Sequence, residues 1–299
     1  MKIVVLGCAA GGGSPQWNCG CRVCSLAWSG DSRVKRRTQA SIAVSVDGES
    51  WCLLNCSPDI REQIAFAGFL HPGNALRDSP ISNVVLTNAD IDHIGGLLSL
   101  REGHRFALHA TPDTLEVLSG NPVFDVLAAE TVRRCRLEIG SKELISPDLT
   151  VECFEVPGKL PLYLEGSSPD TNLKSGHTVG LEVSSGSKRF LYIPGCADLD
   201  NDTRARIFNT ELVFFDGTLW SDDEMRTSGT GHKTGRRMGH MPVGGPDGSL
   251  VILKDLGIGK LVYTHMNNTN PMLIDGSDEH QAVAAAGAQT GYDGLEIVL

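Results

Sequence analysis

Apolar residues fall along this chain in short blocks, many rich in β-branched side chains and separated by polar and glycine-bearing stretches. Blocks of that length read as strands, here at 3–6, 41–46, 51–54, 84–87, 106–109, 150–156, 180–183, 190–193, 212–215, 261–264 and 295–298. Helix-like spacing occupies 58–67, 95–101, 111–119, 249–256 and 279–289. Three strands, a helix, a strand and a helix, followed by much the same order again, predict a layered α/β protein with helices outside packed sheets. No proline- or serine-rich linker divides the chain and no short repeat is present, so one domain is expected over residues 1–299. Residues 221–248 stand apart. They are rich in glycine and charge, and the stretch is too long for an ordinary connection, so it reads as a lid or substrate loop, or else as a disordered insert.

Composition narrows the classes. The net charge of −10 disfavours broad nucleic-acid binding, which needs a basic surface. No run approaches the ~20 apolar residues of a membrane span. The apolar opening is too short for a secretory peptide, and a cytoplasmic location is expected. The nine cysteines are odd in number, and Cys19, Cys21 and Cys24 crowd into a Cys-x-Cys-x-x-Cys cluster within a loop at about 17–26. In a cytoplasmic chain such spacing holds a metal more readily than disulfides, and soft thiolates suit a structural zinc. Cys8, Cys52, Cys56, Cys135 and Cys153 lie in or beside strand-like blocks and read as core.

Candidate chemistry sits where two strand-like blocks end. After 84–87 a carboxylate-rich loop carries Asp90, Asp92 and His93 and runs into Gly95-Gly96-Leu97. After 261–264 comes His265. Asp92, His93 and His265 would make a two-histidine, one-carboxylate set, which leaves metal positions open and is used by Fe(II) enzymes that activate O₂. Asp90 is either a further oxygen ligand or a helix cap.

Residues 84–97 resemble the His-x-His-x-Asp-His signature of the metallo-β-lactamase superfamily, with Asn88 and Asp90 in place of its two leading histidines. The resemblance spans nearly the whole chain and implies a four-layer αββα sandwich. The superfamily's hydrolases hold two metals. Here the resemblance implies that the first has lost most of its ligands, because its third histidine falls on Lys159, although His177 in Gly-His-Thr also suits that place. The bridging aspartate falls near Gly195, with Asp198 three residues on. One branch completes the cysteine site with a histidine where this chain has Asn268, so the fourth zinc position falls to Asn268, a water or another loop.

Together with residues 11–19, 87–97, 156–159 and 238–242, these departures resemble the branch of the superfamily that serves synthesis of pyrroloquinoline quinone (PQQ). That resemblance implies an Fe(II)-dependent hydroxylase acting on the tyrosine ring of a peptide-derived Glu-Tyr intermediate, with structural zinc beside it. The alternatives are a carrier of PQQ or its precursor toward the periplasm, and a metallo-hydrolase recruiting His177 and Asp90. The expected partners are the small-molecule precursor or PQQ and other proteins of the pathway. Lys159 is then a candidate to bind a substrate carboxylate or ring oxygen, and His240 to act as acid or base on a phenol. Asp198 is a candidate to orient a ligand. The basic run Arg33, Lys35, Arg36 and Arg37 is either a solvated face or a landing place for an acidic substrate.

Overall fold

The computed structural model describes residues 1–166 and 170–299. The described strands are β1 (Lys2–Gly7), β2 (Ser41–Ser45), β3 (Trp51–Leu54), β4 (Ile81–Val85), β5 (Phe106–Ala110), β6 (Val132–Arg136), β7 (Lys142–Ser146), β8 (Leu149–Glu155), β9 (Val179–Ser185), β10 (Lys188–Ile193), β11 (Leu212–Asp216), β12 (Lys260–Thr264), β13 (Ala288–Thr290) and β14 (Glu296–Val298). They form two seven-stranded sheets, ordered β14-β1-β2-β3-β4-β5-β6 and β13-β12-β11-β10-β9-β8-β7. This is the expected sandwich of two sheets between helices.

The near-continuous apolar strands have a simple cause, which is that both faces of each sheet are covered. In β1, Ile3 and Val5 face the core between the sheets, beside Leu181, Tyr192 and Phe214. Val4 and Leu6, on the opposite face, join Ile60, Ile94, Leu97 and Leu118 in a second core under the outer helices. The same two-residue alternation splits Leu53 from Leu54, and Val84 from Val85.

The strands β3 to β6 run parallel, as do β10 to β13. Their carboxyl ends are where α/β sheets place ligand sites. At this edge the sheets are stitched together. Val179 N–H donates to Thr87 O at 2.9 Å, and the loop after β1 exchanges hydrogen bonds with Met266, Met266 N to Cys8 O at 2.9 Å and Ala10 N to Met266 O at 2.8 Å.

Several elements differ from the sequence reading. The strands β6 and β7 were not expected: VRRCR and KELIS are charged edge strands without clean alternation, the composition that discourages edge-to-edge pairing. The helix expected at 279–289 ends at Ala285, and Gly287 at φ 76° turns the chain into β13. Residues 95–101 form a 3₁₀ segment, Gly95–Leu100. Helices at Arg22–Trp28 and Asn201–Ile207 were also missed. Residues 221–248 form ordered structure, including a short helix, Glu224–Thr227, and a 3₁₀ turn, Arg236–Met238. Among the described residues no helix is long and apolar enough to cross a membrane.

One buried acid near the closing strand gives a pH prediction. Asp293 accepts from Thr38 N at 2.6 Å and Thr38 Oγ1 at 2.8 Å, yet burial pushes its pKa up to about 6. The folded state therefore prefers the neutral acid. Its stabilising effect is complete below pH ~4, where the unfolded carboxyl is also protonated, and is lost as pH rises to ~6. Denaturant titrations of wild type and Asp293→Asn at pH 4 and pH 7 should differ in their pH dependence by about 3 kcal/mol, with wild type losing more on the alkaline side. Equal pH dependence in the two proteins would contradict this.

Candidate metal centre

The loop after β4 is shaped by its backbone partners. Asn55, itself at φ 62°, accepts from Thr87 N through its side chain at 2.9 Å. The turn Ile91–Ile94 then places His93 O on Cys56 N at 2.8 Å, and Gly96 N donates to Cys56 O at 2.9 Å. This close approach explains the Gly-Gly pair, because a Cβ on Gly96 would lie 2.1 Å from Ser57 O. Gly96→Ala should cost about 3 kcal/mol of stability, read as a lowered melting temperature, because the obstacle is backbone rather than a side chain that can swing aside. A melting temperature within a degree or two of wild type would refute that.

Three donors converge at this edge. Asp92 Oδ2 lies 2.9 Å from His265 Nε2 and 3.9 Å from His93 Nε2, and the two rings meet edge to face at 5.2 Å. His265 reaches inward because its backbone is left-handed, at φ 55°, a strained conformation for a histidine. His93 Nδ1 is fixed by Asn88 Oδ1 at 2.7 Å, so its proton sits on Nδ1 and the Nε2 lone pair is free. That Nε2 is buried and has no hydrogen-bond partner among the described residues. Asn88, standing where the superfamily signature has a histidine, thus acts on the ligand behind it.

The electrostatics fit a cation. Burial pushes the His93 pKa down to about 4, so the ring is neutral and ready to bind. Burial also works against charge on Asp92 and on His265, but their mutual hydrogen bond wins, holding Asp92 low and His265 high. The nearby His93 adds to the pull on Asp92 only when protonated, so the His265 contact is the cause that holds at neutral pH. A proton thus bridges Asp92 and His265 where a metal would sit. An unpartnered imidazole nitrogen facing a carboxylate and a second imidazole is a donor set that suits a divalent transition metal.

A second group of donors lies alongside. Asp216, at the end of β11, is fully buried; its Oδ2 accepts from His240 Nδ1 at 2.6 Å and Cys196 N at 2.9 Å. Its Oδ1 accepts from Thr218 N at 3.0 Å and Thr218 Oγ1 at 2.6 Å. Burial works to raise its pKa, but the hydrogen-bonded His240 and Thr218 keep it low. Thr218 Oγ1 is also 2.9 Å from His265 Nδ1, and His240 stacks on His265 at 5.2 Å. Asp216, His240 and His265 are close enough to hold an ion, and the Thr218 hydroxyl stands within hydrogen-bond reach of all three. The arrangement is an orienting network. With Nδ1–H of His240 on Asp216, its Nε2 lone pair is left free.

Sequence reasoning missed Asp216, although its signal was present: an apolar strand ending in a chemically active residue, as β12 ends before His265. Asp198 departs from the sequence expectation. Its Oδ1 accepts from its neighbour Leu199 N at 2.9 Å, and it belongs to none of the donor groups. A Cβ at Gly195 would touch His240 Cε1 at 3.7 Å, so the imidazole lies over the place expected for a bridging aspartate.

The remaining candidates separate. Lys159 pairs with Glu165 at 2.8 Å, with a side chain 12% exposed, so it is no surface lysine. Asp90 stands at the N-cap of Ile91–Ile94 without capping it; its Oδ1 accepts from Leu162 N at 3.2 Å, and burial raises its pKa. His177 joins none of the described donor groups. The basic run is largely occupied. Arg33 pairs with Asp31 at 2.7 Å, Lys35 and Arg36 lie over Tyr292 and Trp28, and buried Arg37 donates to Gly291 O at 3.0 Å. Arg33, Lys35 and Arg36 nevertheless remain exposed, as the solvated-face reading expects.

Cys19, Cys21 and Cys24 form the third donor group, and Asn268 sits against them with Nδ2 at 3.1, 3.8 and 3.3 Å from the three sulfurs. The segment 265–270 ties this cluster to the first. His265 faces Asp92, Asn267 N donates to Thr218 O at 2.9 Å, and Asn268 meets the cysteines. Thr269 Oγ1 donates to buried Glu224 of the 221–248 segment, and Asn270 Nδ2 donates to Gly217 O at 2.9 Å.

Comparisons with known proteins agree with this fold. Residues 50–266 match the family model described as beta-lactamase superfamily domain. Coenzyme PQQ synthesis protein B of Methylorubrum extorquens is 52% identical over 299 residues, covering all of both chains. The protein of the same name from Rhizobium meliloti (strain 1021) is also 52% identical, over 100% of this chain and 98% of its own. A crystal structure of Zn(2+)-bound PqqB from Methylobacterium extorquens superposes with a TM-score of 0.98 at 52% identity over the whole of both chains. A diphosphatase from the PhnP family, 22% identical, shares the fold with a TM-score of 0.70 over 99% of this chain and 96% of its own.

Proposed function

From the premise that this chain belongs to the coenzyme PQQ synthesis protein B family of the beta-lactamase superfamily, we propose that it serves PQQ synthesis as an iron-dependent hydroxylase of the tyrosine ring in a peptide-derived Glu-Tyr intermediate. The observation that carries the reading is the buried, unpartnered Nε2 of His93 beside the Asp92–His265 pair. Asp92, His93 and His265 would hold Fe(II), which supplies activation of dioxygen when bound. The protein's own groups do the rest. Asn88 and Thr218 hold the two histidines in the tautomers that present their lone pairs. His240, anchored by Asp216, presents Nε2 to take up or return the phenolic proton. Lys159 offers positive charge beside the same loop. Zinc in the cysteine cluster would brace segment 265–270 and, through it, His265.

A two-metal hydrolase recruiting His177 and Asp90 needs a second ion, and neither residue joins a donor group among the described residues. Protein freed of metal and reloaded anaerobically with Fe(II) should consume oxygen when given the cross-linked Glu-Tyr compound with ascorbate as electron source. If that compound binds and no oxygen is consumed, the hydroxylase reading fails. The carrier reading instead requires tight PQQ binding that survives Asp92→Ala and His265→Ala.

A further inference from the structure

Positive charge gathers at one place on a chain whose net charge is −10. Lys159 comes from the loop after β8, and Lys233 and Arg237 come from the 221–248 segment. All three turn toward one carboxylate. Lys159 Nζ lies 2.8 Å from Glu165 Oε1, while Arg237 Nη1 and Lys233 Nζ lie 3.1 and 3.8 Å from Glu165 Oε2. The Glu165 side chain is only 5% exposed. Glu165 is held by all three, yet the Lys233 and Arg237 side chains remain 42% and 36% exposed, so an incoming anion can reach them, while Lys159 also acts on the buried Asp90 carboxyl. The fit of Glu165 is also imperfect. Among the described residues its buried Oε1 has Lys159 at 2.8 Å but no aligned hydrogen bond, and Lys159 directs a hydrogen bond to Leu160 O at 3.1 Å.

This place adjoins the metal centre. A Cβ on Gly239 would lie 3.0 Å from Lys159 Cγ, so the lysine stem runs against the residue before His240. The chain leading to Glu165 crosses the metal loop, where Leu162 N donates to Asp90 Oδ1 at 3.2 Å and Tyr163 Oη donates to Ala89 O at 2.7 Å.

We propose that Lys159, Lys233 and Arg237 form a carboxylate-binding subsite beside the metal centre, and that Glu165 occupies it as an internal stand-in displaced by an acidic substrate. The ligand class is a phenol that carries a carboxylate at a distance from its ring. The subsite rests on reading the metal centre as a substrate site, and it deepens that reading by naming what excludes a plain phenol. Displacement of Glu165 exchanges one anion for another among the same cations, so burying the substrate's charge does not require desolvating new cations.

The test uses zinc-loaded protein, in which oxygen chemistry is absent, titrated calorimetrically with the dipeptide Glu-Tyr and with its dimethyl ester. Arg237→Gln and Lys233→Gln should each weaken binding of the free acid about tenfold. Glu165→Gln should tighten it several-fold by removing the internal competitor. The ester should respond to none of the three. Because the substitutions act in opposite directions, general loss of folding cannot imitate the pattern. The proposal is overturned if Glu165→Gln binds the acid no more tightly than wild type, if ester and acid shift together, or if the free acid fails to bind wild type at millimolar concentration. Iron-loaded protein that takes up no oxygen while these shifts hold would remove the hydroxylase and leave the subsite standing.

Discussion

His93→Ala is expected to bind one metal ion fewer than wild type and to lose activity by about a thousandfold or more. The reasoning starts from an asymmetry in the imidazole. Its Nδ1 is used by Asn88 Oδ1 at 2.7 Å, while Nε2 is buried without a partner. In the metal-free fold the ring therefore carries an uncompensated desolvation cost, and its removal should be unusually well tolerated. The variant loses packing but also loses an orphaned polar atom, and Asn88 Oδ1 keeps its second donor, Asp90 N at 2.9 Å. Added metal should raise the melting temperature of wild type and leave that of the variant nearly unchanged. Elemental analysis after anaerobic loading checks the count, and the ion expected at Cys19, Cys21 and Cys24 should persist in both proteins. Equal metal content in the two would show that the ion does not use this nitrogen.

The second large effect belongs to a residue with no expected contact to the metal. Asp216→Asn should lower kcat by about a thousandfold while leaving KM and metal content near wild type. The carboxylate accepts four hydrogen bonds, from Cys196 N, Thr218 N, Thr218 Oγ1 and His240 Nδ1. An asparagine offers one accepting atom and one donating group, so half of these donors meet an N–H. Where the amide nitrogen faces His240, the ring must move its proton to Nε2, and the lone pair meant for the phenol disappears. Where it faces Thr218, the hydroxyl turns and His265 Nδ1 loses its orientation. Either choice also costs about 1–3 kcal/mol of stability through a buried unsatisfied group. Steady-state kinetics alongside metal analysis separates this from ligand loss, and activity within tenfold of wild type would refute the role.

The parts of this site that are local in sequence were legible there. Asp92 and His93 share one loop, and His265 ends a strand by the same pattern, so their convergence followed from parallel strands ending at one edge. The fold was legible for a related reason: strands buried on both faces leave uninterrupted apolar runs. What escaped was relational. Asp216 closes the run LVFFD, but an acid at a strand end is common, and only the arrival of His240 from a loop more than twenty residues on gives it a partner. Asp198 drew attention by its place near Gly195, yet its carboxylate turns back to its own backbone. Lys159 was legible as a charge in the pocket, but Glu165 as its counterion was not, because nothing in either residue's neighbourhood announces a pairing. The charged strands β6 and β7 hid because edge strands obey solubility more than periodicity.

The short segment from His265 to Asn270 is fastened at successive residues, His265 to Asp92, Met266 to the loop after β1, Asn267 to Thr218, Asn268 to the cysteine loop, Thr269 to Glu224 and Asn270 to Gly217. Such a stretch behaves as a keystone whose parts share a single length. Inserting or deleting one amino acid there would throw all the joints out of step together, so this piece of the chain has less freedom to drift in length than the far longer, glycine-laden insert it braces.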